Sequence, residues 1–298
     1  MIGMGQDLCS HYPSARSIFS SANDLLGFPL SKICWEGPEN LLNDTINTQP
    51  ALLTHSVASL FIFNELFTGI FPRFVAGHSL GEFSALVASK SMQFLDVLRL
   101  VRIRGELMKK NGSNYPGGMS AILGLDIHVL EKICNDASVG ENHVQVANDN
   151  CPGQVVISGS SDALQYAMEL ARRSGARRAI PLAVSIAAHS HLMSHIQDEF
   201  KTSVNQSQIV DPQIPIIGNV TASPLNTSDQ IRDELTKQLT SRVQWAKTIE
   251  FMSEKGVDTF IEFGPGTVLS GLVSRINKQA KCIHLGNVAD FNNLLGAM

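Results

Sequence analysis

Apolar residues recur at helical spacing after Pro13, with Ile18, Phe19, Ala22, Leu25 and Leu26 on one stripe, and predict a helix over 14–26. Residues 51–66 are apolar almost all round, the pattern of a helix buried inside a large α/β core. The short run Phe74-Val75-Ala76 predicts a buried strand, and a helix over 80–88 follows it directly. The next helix, 94–110, turns Leu95, Leu98, Val101 and Met108 inward and Arg99 and Lys109 outward. It gives way to a turn cluster over 111–118, rich in Asn, Gly and Pro.

From Met119 the units shorten. The pattern predicts a strand over 119–123, a helix over 129–137, strands over 144–147 and 154–158, a helix over 162–174 and a strand over 179–184. This βαββαβ order is that of a ferredoxin-like domain, here about 117–186, inserted into an α/β unit made of 1–116 and 187–298. Longer helices then return, with a strand over 214–218, helices over 229–239 and 245–255, and a strand over 259–263.

The 298 residues suffice for two domains or for one large domain carrying an insertion. With 44% hydrophobic and 17% charged residues the chain is globular in composition, outside the disordered class. A net charge of −4 offers no overall positive field for a nucleic acid. Five cysteines without a C-x-x-C spacing fit neither a zinc site nor a disulfide framework, and suit a reducing compartment. The start lacks a basic segment followed by an apolar one, and the best membrane candidate, 51–63, is too short to span and contains His55. The expectation is a cytoplasmic monomer without a nucleic-acid or membrane partner.

Gly77-His78-Ser79-Leu80-Gly81 matches G-x-S-x-G, the strand-to-helix elbow that projects a nucleophilic serine, with small residues expected on both sides of the tight turn. The predicted strand before it and helix after it are the context that the motif demands. A serine hydroxyl needs a base. His78 would point away from Oγ, and His55, His128 and His143 are accounted for by their own elements. The segment Ser185-Ile186-Ala187-Ala188-His189-Ser190-His191 follows a predicted strand and precedes a helix, leaving His189 and His191 as alternatives.

At this point the chain resembles the malonyl-CoA:acyl carrier protein transacylases. The likeness rests on Gly77 to Glu82, Arg104-Gly105, Gly118-Met119, Asn148 through Gly159, Ala188-His189-Ser190, Gly218-Asn219-Val220, Val243-Gln244-Trp245 and Glu262 through Gly266, in that order. The resemblance implies an α/β-hydrolase-like large domain with an inserted ferredoxin-like small domain. It implies His189 as the base, oriented by a main-chain carbonyl, that of Gln244, and a dyad with Ser79. It gives Arg104 the free carboxylate of a malonyl group, which a guanidinium meets with two parallel donors. The backbone N–H of Leu80 would serve the oxyanion, and Ala188 and Met119 would border the acyl group. Members of the family open with a strand and a Phe-Pro-Gly-Gln-Gly-Ser-Gln loop that completes the oxyanion hole. This chain begins at Gly3-Met4-Gly5, so Gln6 is not that loop's glutamine, and the resemblance implies a chain truncated relative to a working member.

The function so implied is transfer of a malonyl group from CoA to the phosphopantetheine thiol of an acyl carrier protein, without metal or redox cofactor. An acyl hydrolase on the same dyad and a non-catalytic carrier-protein platform are the alternatives. Arg172, Arg173, Arg177 and Arg178 form a local basic cluster expected to meet an acidic carrier near the seam between the domains.

Overall fold

The helix Thr45–Leu66 runs through the core of the larger unit, with Leu53, Val57 and Ile62 fully buried. Asp44 caps its start by accepting from the Ile46 N–H. Pro50 lies inside this helix and has no N–H for the Ile46 carbonyl; Arg102 Nη1 donates to that carbonyl instead, at 3.0 Å. Arg102 belongs to the helix Phe94–Asn114, which packs alongside. Gly105 sets how closely the two helices approach, because a Cβ there would lie 3.1 Å from the Ile46 Cα and the Thr45 oxygen. Gly105→Val is therefore expected to force the helices apart and cost about 2 kcal/mol. Urea unfolding should show a lowered midpoint with an unchanged slope; an unchanged midpoint would show that the contact is slack.

The structure, a computed structural model, describes residues 1–184 and 186–297. The strand before the elbow is β1 (Val75–Ala76), two residues long. The expected turn cluster at 111–118 is divided between its neighbours: the helix continues to Asn114, and β2 (Gly117–Leu123) starts at Gly117. The small domain continues with β3 (Val144–Cys151), β4 (Gln154–Ser160) and β5 (Arg178–Pro181). These form one antiparallel sheet in the order β3-β4-β2-β5, the ferredoxin-like arrangement. Helices Ile127–Ala137 and Ser161–Arg173 cover one face, closing a separate core that includes Ile122, Leu130 and Ile157. The last strand, expected over 179–184, stops at Pro181, which offers no N–H to a ladder.

The basic cluster lies at the β5 edge of this sheet. Leu123 pairs with Arg178, and the Arg177 N–H donates to the Leu123 carbonyl. At the other end of β2, a Cβ on Gly117 would lie 3.0 Å from that of Ala187. Six residues of strand, about 20 Å, separate the arginines from that part of the seam, whereas Gln154, which pairs with Leu123 on its other side, meets Arg275 of the large domain.

In the larger unit, β6 (Ile216–Ile217) pairs parallel with β1 and antiparallel with β7 (Pro224–Leu225), while β8 (Thr259–Phe263) pairs parallel with β9 (Lys281–Leu285). The two sheets share their cores: Val75 packs in the cluster that holds Ile261 and Phe263, and Phe74 and Ala76 in the one that holds Phe260. With the insertion, this is an α/β-hydrolase-like large domain carrying a ferredoxin-like small one. No helix among the described residues is long and apolar enough to cross a membrane.

Candidate active site

The elbow lies at the carboxyl ends of two parallel strands, where open α/β sheets place their sites. Ser79 has φ 52°, in the left-handed region, between β1 and the helix Gly81–Ala88. A Cβ on Gly77 would come within 2.0 Å of the Gly81 carbonyl group, so glycine is obligatory there. At Gly81 the added Cβ would meet nothing within 4 Å, so the requirement for a small residue holds on one side of the serine only. Asn219, just past β6, fastens the turn. Its Oδ1 accepts from the Ser79 N–H at 2.7 Å, and its Nδ2 donates to the Gly77 carbonyl at 2.7 Å.

His189 faces the serine. Ser79 Oγ and His189 Nε2 are 2.7 Å apart, and His189 Nδ1 lies 2.7 Å from the main-chain oxygen of Gln238. A carbonyl can only accept, so Nδ1 carries the proton and Nε2 is left bare to take the serine's. The orienting residue is Gln238 and not Gln244. The Gln244 carbonyl is engaged by the Thr248 N–H at the start of the helix Trp245–Glu254, whereas Gln238 ends the helix Ser228–Gln238, where carbonyls lack intrahelical donors. That same negative helix end favours the imidazolium formed when His189 accepts a proton. His191 takes no part: it is exposed, its ring edge-on to His143.

Arg104, 2% exposed, reaches the same point from the helix Phe94–Asn114. Its Nη1 donates to Gln49 Oε1 at 2.5 Å and its Nη2 to Gln238 Oε1 at 2.9 Å, with Ser79 Oγ 3.4 Å away. Its Nε–H is buried without a partner among the described residues. Burial lowers the guanidinium to about 10, and the Glu82 carboxylate opposes this, so Arg104 is charged at neutral pH.

The remaining sequence candidates fall around this centre. No acceptor among the described residues engages the Leu80 N–H, which stands at the amino end of the helix Gly81–Ala88. Ala188, beside the base, packs against the large core. Met119 shares a face of β2 with Gly117, the face turned to Ala187 and Leu192. Gln244 spends its side chain on the Val220 carbonyl and Lys247, and takes no part in the serine-histidine contact. His78 Nε2 donates to Asn150 Oδ1 at 2.7 Å, away from Ser79 Oγ. Ser185, the first residue of the segment singled out around His189, lies outside the described residues.

The family model for the acyl transferase domain matches residues 2–290. The chain belongs to the acyl transferase family. It is similar to the malonyl CoA-acyl carrier protein transacylase of Bacillus subtilis, at 44% identity over 95% of this chain and 88% of that one. The crystal structure of an acyl carrier protein S-malonyltransferase from Vibrio cholerae superposes with a TM-score of 0.94 at 40% identity, covering 99% of this chain and 95% of that one. A malonyl-transacylase solved in complex with its type II PKS acyl-carrier protein superposes with a TM-score of 0.95 at 37% identity, covering 100% and 96%.

Within this acyl transferase, four groups at the centre have no forecast role in the sequence: Gln49, Glu82, Asn219 and Gln238. Glu82 and Asn219 stand inside recognisable motifs. Gln49 and Gln238 arrive from helices whose local pattern records only that they are helices.

The electrostatics make a further prediction. Burial first, and the Arg104 charge second, hold His189 down at about 3, so the imidazole is a free base at neutral pH. Since only the neutral ring can take the serine's proton, the acid limb of kcat/KM for serine acylation is expected well below the ordinary imidazole value of 6.5. Arg104→Met removes a cation and should move that limb upward. A wild-type limb at the ordinary value would contradict the buried, cation-flanked base.

Proposed function

We propose that this acyl transferase moves a malonyl group from CoA to the phosphopantetheine thiol of an acyl carrier protein through an ester on Ser79. The observation that carries the proposal is the convergence of a serine, a carbonyl-held histidine and a buried arginine on one point, with Arg104 Nη2 3.4 Å from the nucleophilic oxygen. The names of the relatives support the same reading.

Ser79 Oγ attacks the thioester carbonyl as His189 Nε2 takes its proton. The developing oxyanion is met by the Leu80 N–H. Collapse breaks the C–S bond as His189 gives the proton to the departing sulfur, so CoA leaves as its thiol and the imidazole is neutral again. The malonyl carboxylate stays paired with Arg104. In the second half, His189 takes the proton of the carrier's thiol, the thiolate attacks the Ser79 ester, and Oγ departs with that proton. One thioester replaces another, so the steps need neither metal nor redox cofactor. All the groups come from one chain, so a single copy suffices. Five free cysteines suit work in the cytoplasm, where thiols stay reduced.

Incubation with radiolabelled malonyl-CoA and holo carrier protein tests the proposal. Label should accumulate on the carrier faster than free malonate appears. Malonate as the main product would make the protein a hydrolase, and no consumption of malonyl-CoA would make it a non-catalytic platform.

A further inference from the structure

Below the dyad and the arginine lies a buried carboxylate that the mechanism does not use. Glu82 is 1% exposed, on the first turn of the helix that follows the nucleophile. Its Oε1 accepts from the Asn219 main-chain N–H at 2.8 Å and from Asn219 Nδ2 at 3.0 Å. Its Oε2 accepts from Gln238 Nε2 at 2.5 Å. All three contacts come from donors, which is the environment of an ionised carboxylate. Burial and the nearby Glu234 push Glu82 upward, against the pull of those donors and of Arg104.

The side chain of Gln238 therefore stands between a group that only accepts and a group that only donates. Its amide satisfies both in one orientation alone, with the NH2 on Glu82 and the oxygen on Arg104 Nη2. In that orientation Nε2 also reaches the Ser79 carbonyl at 3.0 Å. On the other side, Asn219 is held by Glu82 while it grips the Ser79 N–H and the Gly77 carbonyl.

We infer that Glu82 is a positioning residue for the substrate's carboxylate, acting through the Gln238 amide to fix the guanidinium of Arg104 beside Ser79. The inference rests on the reading of Arg104 as the partner of the malonyl carboxylate. Glu82 touches neither substrate nor reacting atoms. By fixing the polarity of the Gln238 amide, it fixes which edge of Arg104 is occupied and which donors stay free. Replacing it with glutamine would set an NH2 where an acceptor is needed. That NH2 opposes the NH2 of Gln238, or the Gln238 amide turns over and presents donors to a guanidinium that has only donors, or the NH2 faces the Asn219 main-chain N–H, which cannot turn over, and loosens the clasp on Ser79.

The test compares loading from malonyl-CoA with loading from acetyl-CoA, which has no carboxylate. Glu82→Gln should lower the malonyl-to-acetyl ratio of kcat/KM about tenfold, mainly through KM for malonyl-CoA. Gln238→Met should lower it similarly, since it cuts the link to Arg104 and keeps the main-chain carbonyl that holds His189. In the double variant Glu82→Gln, Gln238→Glu, residue 82 again accepts from Asn219 and donates to residue 238, which accepts from Arg104. The ratio should recover at least in part, which a merely structural role for Glu82 would not produce.

Arg104→Ala is the reference. If it loses malonyl selectively while Glu82→Gln and Gln238→Met lower both acyl groups equally, the clamp stands and the inference falls. If Arg104→Ala also lowers both equally, the clamp reading itself is overturned. Should Glu82→Gln fail to fold, by circular dichroism, an unchanged ratio in Gln238→Met alone would overturn the inference.

Discussion

Alanine at His189 is expected to lower the rate of malonyl loading by about 10⁴-fold, with alanine added at Ser79 lowering it little further. Both residues serve one proton transfer, and once the base is gone the serine hydroxyl is a weak nucleophile. The contacts at 2.7 Å on either ring nitrogen make His189 a single relay between Oγ and the Gln238 carbonyl, while the nearest alternative in sequence, His78, is engaged by Asn150 through Nε2. The variant should remain folded. The carbonyl left without its donor costs about 1–3 kcal/mol, a fraction of a typical domain's stability. Stopped-flow release of CoA under single-turnover conditions measures the effect. Losses that multiply in the double variant would mean that the two residues act independently.

The second large effect belongs to Arg104. Arg104→Ala should reduce kcat/KM for malonyl-CoA about 10³-fold, because a buried carboxylate left without its cation costs roughly 3–5 kcal/mol. Acetyl-CoA makes no such pair and should lose about tenfold or less, from the altered field at Ser79 and the freed Gln49 and Gln238. Lysine at 104 should recover part of the charge but not the fork. Steady-state loading of both substrates decides the matter. Equal losses would reduce Arg104 to a support for its helix.

Much of this was legible in the sequence where a local pattern fixes a local conformation. The elbow is such a case: Gly77 cannot carry a Cβ, and the strand and helix on either side of Ser79 are written in adjacent residues. The small domain is another, since two-residue and helical periodicities alternate along its whole length and the sheet order follows from them. The histidine needed the family resemblance, because spacing alone left His189 and His191 open. The orienting carbonyl is that of Gln238 where the resemblance implies Gln244, since any residue offers a carbonyl and only the packing of helix ends decides which one is free. Gln49 and Glu82 illustrate the same limit. They meet Arg104 and Gln238 across 55 and 156 residues of chain, at distances set by helix contacts such as Gly105 against Ile46. The arginine cluster is local in sequence, but its place at the β5 edge of the small sheet follows only from the register of β2 with β5.

The central claim is an ester between the malonyl group and Ser79. Brief mixing with malonyl-CoA in the absence of any carrier protein, acid quenching, and mass spectrometry of the peptide containing Gly77 to Gly81 tests it directly. The account predicts one added malonyl group on the wild-type peptide, located on Ser79, removed when holo carrier protein is supplied before the quench, and missing from Ser79→Ala. A malonyl group on any other residue, or an adduct that persists in the alanine variant, would contradict it.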